Sequence, residues 1–163
     1  MDYYNAVLLP PEKVSKNIIK FATENYKEVS NGYCLGEGVF PHITLYQFKA
    51  HSVPNLQFDE TIKTPTFLEM NIRTGTDIHE GFNWIELIVE RDEWLMDMAE
   101  SVREKLALQE VEILTRIYNP HLTLCRTKLN RLGNIKFPFY IFSDKGDWIF
   151  KIGKSDRNGQ FYG

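Results

Sequence analysis

A five-residue pattern that occurs twice constrains the fold of this chain more than any other feature. Pro41–Leu45 reads PHITL and Pro120–Leu124 reads PHLTL, so the two histidines lie 79 positions apart (121 minus 42) in a chain of 163 residues. One H-x-T triplet arises at roughly one position in a thousand at ordinary residue usage, so a single copy would carry little weight. Two copies that share the preceding proline and the flanking aliphatic residues indicate an internal duplication.

The segments around the two copies follow the same order: a strand, an amphipathic helix, and then the strand that carries the motif. Short apolar runs predict the strands, and apolar residues at three- and four-residue spacing predict the helices. These elements are residues 3–10, 11–29 and 42–48 in the first half, and residues 83–90, 91–109 and 121–127 in the second. Further strands are predicted at residues 66–73, 137–142 and 147–153, and Asn158-Gly159 favours a type I′ hairpin turn.

This order predicts an α+β fold in a single domain, residues 1–163, with pseudo-symmetric halves of about 1–81 and 82–163. We expect a bilobal arrangement in which two antiparallel sheets face each other across a central cleft, with a helix packed outside each sheet. Outside the motif the halves share little sequence identity, so the repeat is one of structure and motif.

The repeated motif places polar side chains on one face of its strand. Residues two apart in a strand share a face, so His42 projects with Thr44, and His121 with Thr123. Two imidazoles across a cleft can divide general base and general acid work, because the unperturbed pKa of histidine is near 6.5. Threonine hydroxyls can bind non-bridging phosphoryl oxygens. This chemistry would cleave a phosphodiester without a metal, whereas a repeat kept for packing alone remains the alternative.

Paired H-x-T-x motifs in a duplicated α+β chain of this length resemble the two-histidine (2H) phosphoesterase superfamily, the LigT-like and cyclic phosphodiesterase-like proteins. The resemblance covers the whole chain in architecture, and in sequence it rests on HITL and HLTL. It implies a bilobal 2H fold and metal-independent action on 2′,3′-cyclic phosphates or 2′–5′-linked nucleotides. It also implies that His42, Thr44, His121 and Thr123 are catalytic, without saying which histidine is the acid and which the base.

Five more residues are candidates for substrate binding, and two of them follow from strand alternation. Regular alternation places Tyr46 beyond Thr44, and Cys125 beyond Thr123, on the side of the cleft, and it turns Arg126 to the opposite face. Tyr46 could stack on a base or bind a phosphate oxygen, and a half-buried strand tyrosine is the alternative. For Cys125 a packing role is the simpler interpretation, because no activating base is evident.

The other three candidates are Tyr4, Phe40 and Trp148, which could form a wall on which a nucleobase stacks. Aromatic residues more often bury their area in the core, so a purely structural role is the alternative for each of them. Gly32 belongs to a Gly-rich stretch before the first motif that matches no phosphate-binding fingerprint and predicts a mobile rim.

Composition and charge limit the possible partners. The net charge of −3 argues against an extended nucleic-acid footprint, and no segment approaches the length of a membrane span. Residues 126–163 carry eight basic and three acidic side chains, which suits a small phosphorylated ligand, although solubility alone would also explain it. The two cysteines show no disulfide or zinc spacing, and His51 and His79 lie in loop-like contexts. We therefore expect a cytoplasmic monomer with no metal, no cofactor and no membrane partner.

The sequence thus predicts a phosphodiesterase for a small nucleotide or short oligonucleotide. Within this class the substrate stays open: the 2′,3′-cyclic phosphate at an RNA end, an ADP-ribose cyclic phosphate, or, for a phage or viral type of enzyme, a cyclic oligonucleotide or 2′–5′ oligoadenylate immune signal. A non-catalytic nucleotide-binding module and a plain interaction domain are the alternatives from other classes.

Overall fold

The computed structural model describes residues 1–36, 38–58, 61–114 and 118–163. Within these ranges the chain alternates strands with two α-helices and three short 3₁₀ helices. The strands are β1 (Asp2–Leu9), β2 (Ser30–Cys34), β3 (Ile43–Ala50), β4 (Phe67–Thr74), β5 (Asn83–Val89), β6 (Val111–Ile113), β7 (His121–Thr127) and β8 (Ile149–Lys154). The α-helices are α1 (Glu12–Tyr26) and α2 (Glu93–Ala107), and the 3₁₀ helices are Lys27–Val29, Asp77–His79 and Phe139–Ser143.

These strands form one antiparallel sheet, in the order β4-β5-β7-β3-β1-β8, with β2 paired to β7 and β6 paired to β3. The α+β class is therefore confirmed. The two separate sheets that we expected are instead continuous, because β3 and β7 pair with each other at Ile43 and Leu122. This single pair joins the two motif strands at the centre of the molecule.

Each of the two helices packs against a motif strand. Helix α1 packs against β2 and β7, and helix α2 packs against β3 and β6. Each helix therefore covers the motif strand that lies in the other half of the sequence, rather than its own. Val14, Ile18, Ala22 and Tyr26 form the buried face of α1, and Leu95, Met98, Ala99, Val102 and Leu106 form that of α2. Within the described ranges, neither helix is long and apolar enough to cross a membrane.

Residues 137–142 do not form the strand that their aromatic residues suggested. Phe139–Ser143 is a 3₁₀ helix, in which the amide of Ile141 donates to the carbonyl of Pro138. Pro138 has no N–H to donate to a sheet, and the tight turn lets Phe142 stack on Phe67 of β4 with ring centroids 3.8 Å apart. An aromatic cluster therefore overrides the strand propensity of this segment.

Each motif strand contains one β-bulge, and the two bulges occupy equivalent positions. Between β1 and β3, Ala6 pairs with Tyr46 while Val7 pairs with Thr44, so Leu45 is the extra residue. In the same way Leu124 is the extra residue of β7, since its neighbours on either side pair with consecutive residues of β5. The repeat at an offset of 79 positions therefore extends from the motif to the register of its strand.

The bulges reverse the alternation of side chains that follow them, because the extra residue turns the rest of the strand by one position. Gln47 of β3 and Arg126 of β7 consequently lie on the face of the motif threonines, and both are partly exposed. Tyr46 and Cys125 are turned into the core, where both are buried. The orientation predicted from regular alternation is thus wrong beyond the motif in both strands.

Candidate functional site

A cleft of about 620 Å³ lies over the junction of β3 and β7, and His42, Thr44, His121 and Thr123 all line it. Antiparallel pairing at Ile43 and Leu122 sets the geometry. It directs His42 toward the side of Thr123, and Thr44 toward the side of His121. The structure thus brings the four motif residues together, with each histidine beside the threonine of the other copy.

The imidazole rings of the two histidines are held in the same way. His42 Nδ1 lies 2.8 Å from the carbonyl oxygen of Phe40, and His121 Nδ1 lies 2.7 Å from that of Asn119. A carbonyl can only accept a hydrogen bond, so we infer that Nδ1 carries the proton in each ring. The lone pair of the neutral ring is then on Nε2.

His42 is the more buried of the two histidines, with 7% of its surface exposed. Burial lowers the pKa of His42 to about 4, against the opposing effect of its hydrogen bond to the Phe40 carbonyl. The nearby His121 lowers this pKa further, and the carbonyl of Gly159 raises it. His42 is therefore uncharged at neutral pH, as a general base requires.

His121 stands instead beside a carboxylate that our sequence analysis did not single out. Glu86 of β5 is almost fully buried, with 2% of its side chain exposed, and its Oε1 lies 3.6 Å from His121 Nε2. Arg73 of β4 pairs with the same carboxylate, with Nε 3.1 Å from both oxygens and Nη2 2.6 Å from Oε1. Glu86 is thus an ion-pair partner for His121 whenever His121 is protonated. One acidic residue inside the apolar run NWIELIV was the available sequence signal.

Neither Tyr46 nor Cys125 lines the cleft. Tyr46 stacks on Tyr118 with ring centroids 6.2 Å apart, on the core side of β3. Cys125 is fully buried, and burial raises its pKa to about 12, with a smaller contribution from Cys34. A thiol with this pKa is protonated at neutral pH and is not a nucleophile.

The three aromatic candidates lie outside the cleft as well. Tyr4 is buried and stacks on Phe48 with centroids 5.8 Å apart, and Trp148 is buried with its centroid 6.0 Å from that of Phe67. The side chain of Phe40 is 41% exposed, and Phe40 contributes to the site through the carbonyl that holds His42.

Tyr118 lines the cleft and was missed from the sequence, and so were Tyr33 and Trp84, which both contribute to the cleft wall. Tyr33 and Trp84 meet edge to face with centroids 5.5 Å apart. Tyr33 comes from β2, inside the Gly-rich stretch for which we predicted a mobile rim. Gly32 of this strand has φ +72, and a Cβ there would lie 2.6 Å from Arg126 Nη2, so glycine serves here as a close-packed strand residue.

A C-terminal hairpin at residues 155–161 closes one side of the cleft through Asn158 and Gly159. The carbonyl of Gly159 accepts from Asn5 Nδ2 at 2.9 Å, and that of Asp156 accepts from Gln47 Nε2 at 2.7 Å. The turn is not type I′, because Gly159 has positive φ while Asn158 does not. The Gly159 amide donates to Asp156 O at 3.1 Å, as in a type I turn followed by a left-handed glycine.

Among the residues that the structure describes, no group of three or more His, Cys, Asp or Glu side chains is placed to hold a metal ion. Comparison of the chain with models of known protein families, with curated proteins and with solved structures found no match. The functional interpretation therefore depends on the chemistry of the cleft.

Proposed function

We propose that this protein is a metal-independent phosphodiesterase that cleaves a diester in a small nucleotide or oligonucleotide. The observation that carries this proposal is the pair of equivalent histidines in one cleft, each with Nδ1 on a carbonyl two residues earlier and each beside a threonine. One histidine is kept neutral by burial, and the other lies next to a buried carboxylate. This asymmetry is what a base and an acid working on one phosphate require.

In the proposed reaction, Nε2 of neutral His42 takes a proton from the attacking water or ribose hydroxyl. The oxygen of this nucleophile forms a bond to phosphorus while the bond from phosphorus to the leaving oxygen breaks. Protonated His121 gives its Nε2 proton to that leaving oxygen, so one proton is taken up and one is released. The hydroxyls of Thr44 and Thr123 donate to the non-bridging oxygens, where negative charge develops in the transition state.

The size and charge of the cleft favour a short substrate. A volume of about 620 Å³ is in the range that holds one drug-sized ligand or nucleotide. Arg73 and Arg91 line the cleft and would attract phosphate. A 2′,3′-cyclic phosphate and a 2′–5′ linkage are the substrate types we favour, and a cyclic oligonucleotide or 2′–5′ oligoadenylate signal is a more specific form of the same proposal.

The test is turnover of a mixed panel of diesters in EDTA, followed by chromatography. The panel contains 2′,3′-cyclic mononucleotides, 3′,5′-cyclic nucleotides, 2′–5′ oligoadenylate, and cyclic di- and trinucleotides. We expect one class to be cleaved, and His42→Ala and His121→Ala each to lower kcat by at least about a hundredfold. His51→Ala is the matched control, because His51 is exposed and lies after β3, away from the cleft.

Circular dichroism would establish that the three variants are folded. Equal turnover in wild type and in the His42→Ala and His121→Ala variants would contradict the proposal. Binding of a panel member without any turnover would point to a nucleotide-binding module. A lower rate in EDTA than in its absence would show that the reaction requires a metal.

A further inference from the structure

The cleft extends past the four motif residues to the loop between β4 and β5, residues 75–82. Thr76 and His79 of this loop line the cleft next to Trp84. Backbone hydrogen bonds fix the loop: the amide of Gly75 donates to Phe82 O at 2.8 Å, and the amide of His79 donates to Thr76 O at 2.9 Å. A Cβ on Gly75 would lie 2.4 Å from the carbonyl oxygen of His79, so the turn is closely packed around its glycine.

The His79 ring is oriented by an arginine. Nη1 of Arg126 lies 3.2 Å from His79 Nδ1, and the ring meets Trp84 edge to face with centroids 4.8 Å apart. A guanidinium can only donate, so Nδ1 accepts and the proton of the neutral ring is on Nε2. His79 therefore presents an N–H donor at the cleft.

The charges around His79 are mostly positive. Burial lowers the pKa of His79, and Arg126 and Arg73 lower it further. Asp156 acts in the opposite direction, and Arg157 again lowers the pKa. Glu86, on β5, also faces this end of the cleft, but its carboxylate is paired with Arg73. Arg126, Arg73 and Arg157 thus outnumber the two carboxylates Asp156 and Glu86 around a neutral donor, and an arriving anion would meet a net positive charge.

We infer that this end of the cleft is a second anion subsite, formed by Thr76, His79 and Arg73, which binds a phosphoryl group other than the one that is cleaved. Arg73 uses Nε and Nη2 for Glu86, which leaves Nη1 for a ligand. Nε2–H of His79 and the hydroxyl of Thr76 are the other donors. The inference rests on the proposed function and narrows it: the substrate carries at least two phosphoryl groups.

An unmodified 2′,3′-cyclic mononucleotide with a free 5′-hydroxyl has only the phosphate that is cleaved. A 5′-phosphorylated nucleotide, or an oligonucleotide with a further phosphate, has the second anion. The net positive charge around the neutral imidazole favours this phosphate over an uncharged nucleobase at the same place, since a base offers no charge to balance it.

The first test follows the titration of His79 by NMR, with inorganic phosphate as the probe and chloride at equal ionic strength as the reference. It is made in wild type and in the His42→Gln/His121→Gln double variant. The double variant has no motif histidine, so a signal that shifts in phosphate cannot come from one. The signal of His79 is assigned from its loss in His79→Gln. We expect phosphate to raise the midpoint of His79 by about one pH unit, because a nearby anion favours the charged ring.

His51 is the internal control, since it is exposed and lies outside the cleft, so its signal should respond equally to phosphate and chloride. An unchanged His79 midpoint in phosphate would overturn the subsite. This outcome does not depend on catalysis, so it is separate from a failure of the proposed function.

The second test compares kcat/KM for a 2′,3′-cyclic mononucleotide with and without a 5′-phosphate. We expect wild type to favour the phosphorylated substrate by at least about tenfold, the effect of one charge-assisted contact. His79→Phe should bring the ratio close to one, while His79→Gln, which keeps an N–H donor, should retain part of it. A ratio near one in wild type would contradict the inference that the substrate carries a second phosphoryl group. If neither compound were turned over, the proposed function would fail, and the NMR titration would still decide the subsite.

Discussion

His42 and His121 hold their Nδ1 protons on equivalent carbonyls, yet the surroundings of the two rings differ. His42 is buried, which lowers its pKa to about 4, whereas Nε2 of His121 lies 3.6 Å from the carboxylate of Glu86. Glu86 occupies the place on β5 that Val7 occupies on β1, opposite the motif threonine in each case, so the corresponding position near His42 holds no carboxylate. Burial of one ring and a carboxylate beside the other thus make two similar motifs chemically unequal.

The burial of His42 predicts how stability depends on pH. Its pKa rises from about 4 in the folded chain to about 6.5 on unfolding, so between these values the unfolded state binds more protons. The free energy of unfolding should therefore rise with pH across this window and be lost as pH falls through it. His42→Gln should remove up to about 1.4 kcal/mol per pH unit of this slope.

Urea unfolding at several pH values between about 4.5 and 7.5 measures the slope. His79, whose pKa is also lowered, contributes with the same sign and remains in the variant. Parallel curves for wild type and His42→Gln would contradict the burial argument.

The pair of Arg73 and Glu86 predicts a coupled effect on stability. Arg73→Met leaves a buried carboxylate without its guanidinium, and we expect it to lower the free energy of unfolding by about 1–3 kcal/mol. The loss should be smaller than for a fully buried pair, because half of the Arg73 side chain is exposed. The double variant Arg73→Met/Glu86→Gln should recover part of it. Urea unfolding of wild type, Arg73→Met, Glu86→Gln and the double variant gives the coupling energy, and strictly additive losses would show that the pair is not coupled.

At the level of elements, the bulges at Leu45 and Leu124 decide which side chains reach the cleft, and they can be tested by thiol labelling. In Cys34→Ser, Cys125 is the remaining thiol. Burial should keep Cys125 unreactive toward a disulfide reagent near pH 8 until the protein is unfolded. The matched variant Cys34→Ser/Cys125→Ala/Arg126→Cys carries its thiol one position later, on the partly exposed face.

The pKa of Cys125, about 12, gives a thiolate fraction about a thousandfold below that of an ordinary thiol at this pH. The thiol at position 126 should therefore react faster by at least that factor in the folded protein. A faster reaction at Cys125 than at position 126 would mean that β7 continues its alternation without a bulge, and comparable rates would contradict the burial of Cys125.

The bulges also explain why strand alternation predicts the orientation of the motif side chains but not that of the residues that follow them. Alternation places His42 and Thr44 on one face, as it does His121 and Thr123, because the bulge comes only after them. Leu45 and Leu124 are ordinary aliphatic residues with no glycine to mark the bulge, so Tyr46 and Cys125 were assigned to the wrong face. The strand, helix and motif-strand order was predicted well, since its apolar periodicity is local.

Glu86, His79 and Gly159 reach the cleft from other strands and loops. Nothing in a local pattern reveals that residues 75–82 and 155–161 close on the motif. Phe139–Ser143 was mistaken for a strand for a related reason, because its conformation depends on aromatic contacts with β4 and not on its own alternation.

At the scale of the whole molecule, the halves of the sequence are interlocked. Helix α1 covers β7 and helix α2 covers β3, while β4 pairs with β5 and β8 pairs with β1. Every one of these contacts joins residues before position 81 to residues after position 82. Neither half of the sequence can bury its helix or complete its sheet without the other.

This interlocking predicts that the protein unfolds in one cooperative transition, although its sequence is a repeat. Fragments 1–81 and 82–163 expressed separately should each lack a cooperative urea transition, because α1 would have no β7 to cover and β8 no β1 to pair with. Far-ultraviolet circular dichroism and tryptophan fluorescence should give coincident transitions for the intact chain. The fluorescence is informative because Trp84 is buried in β5 and Trp148 is buried beside β4 and β8. A fragment that unfolds cooperatively on its own, or two separated transitions in the intact chain, would show that the halves are independent units, and the cleft between β3 and β7 would then be a junction that can open.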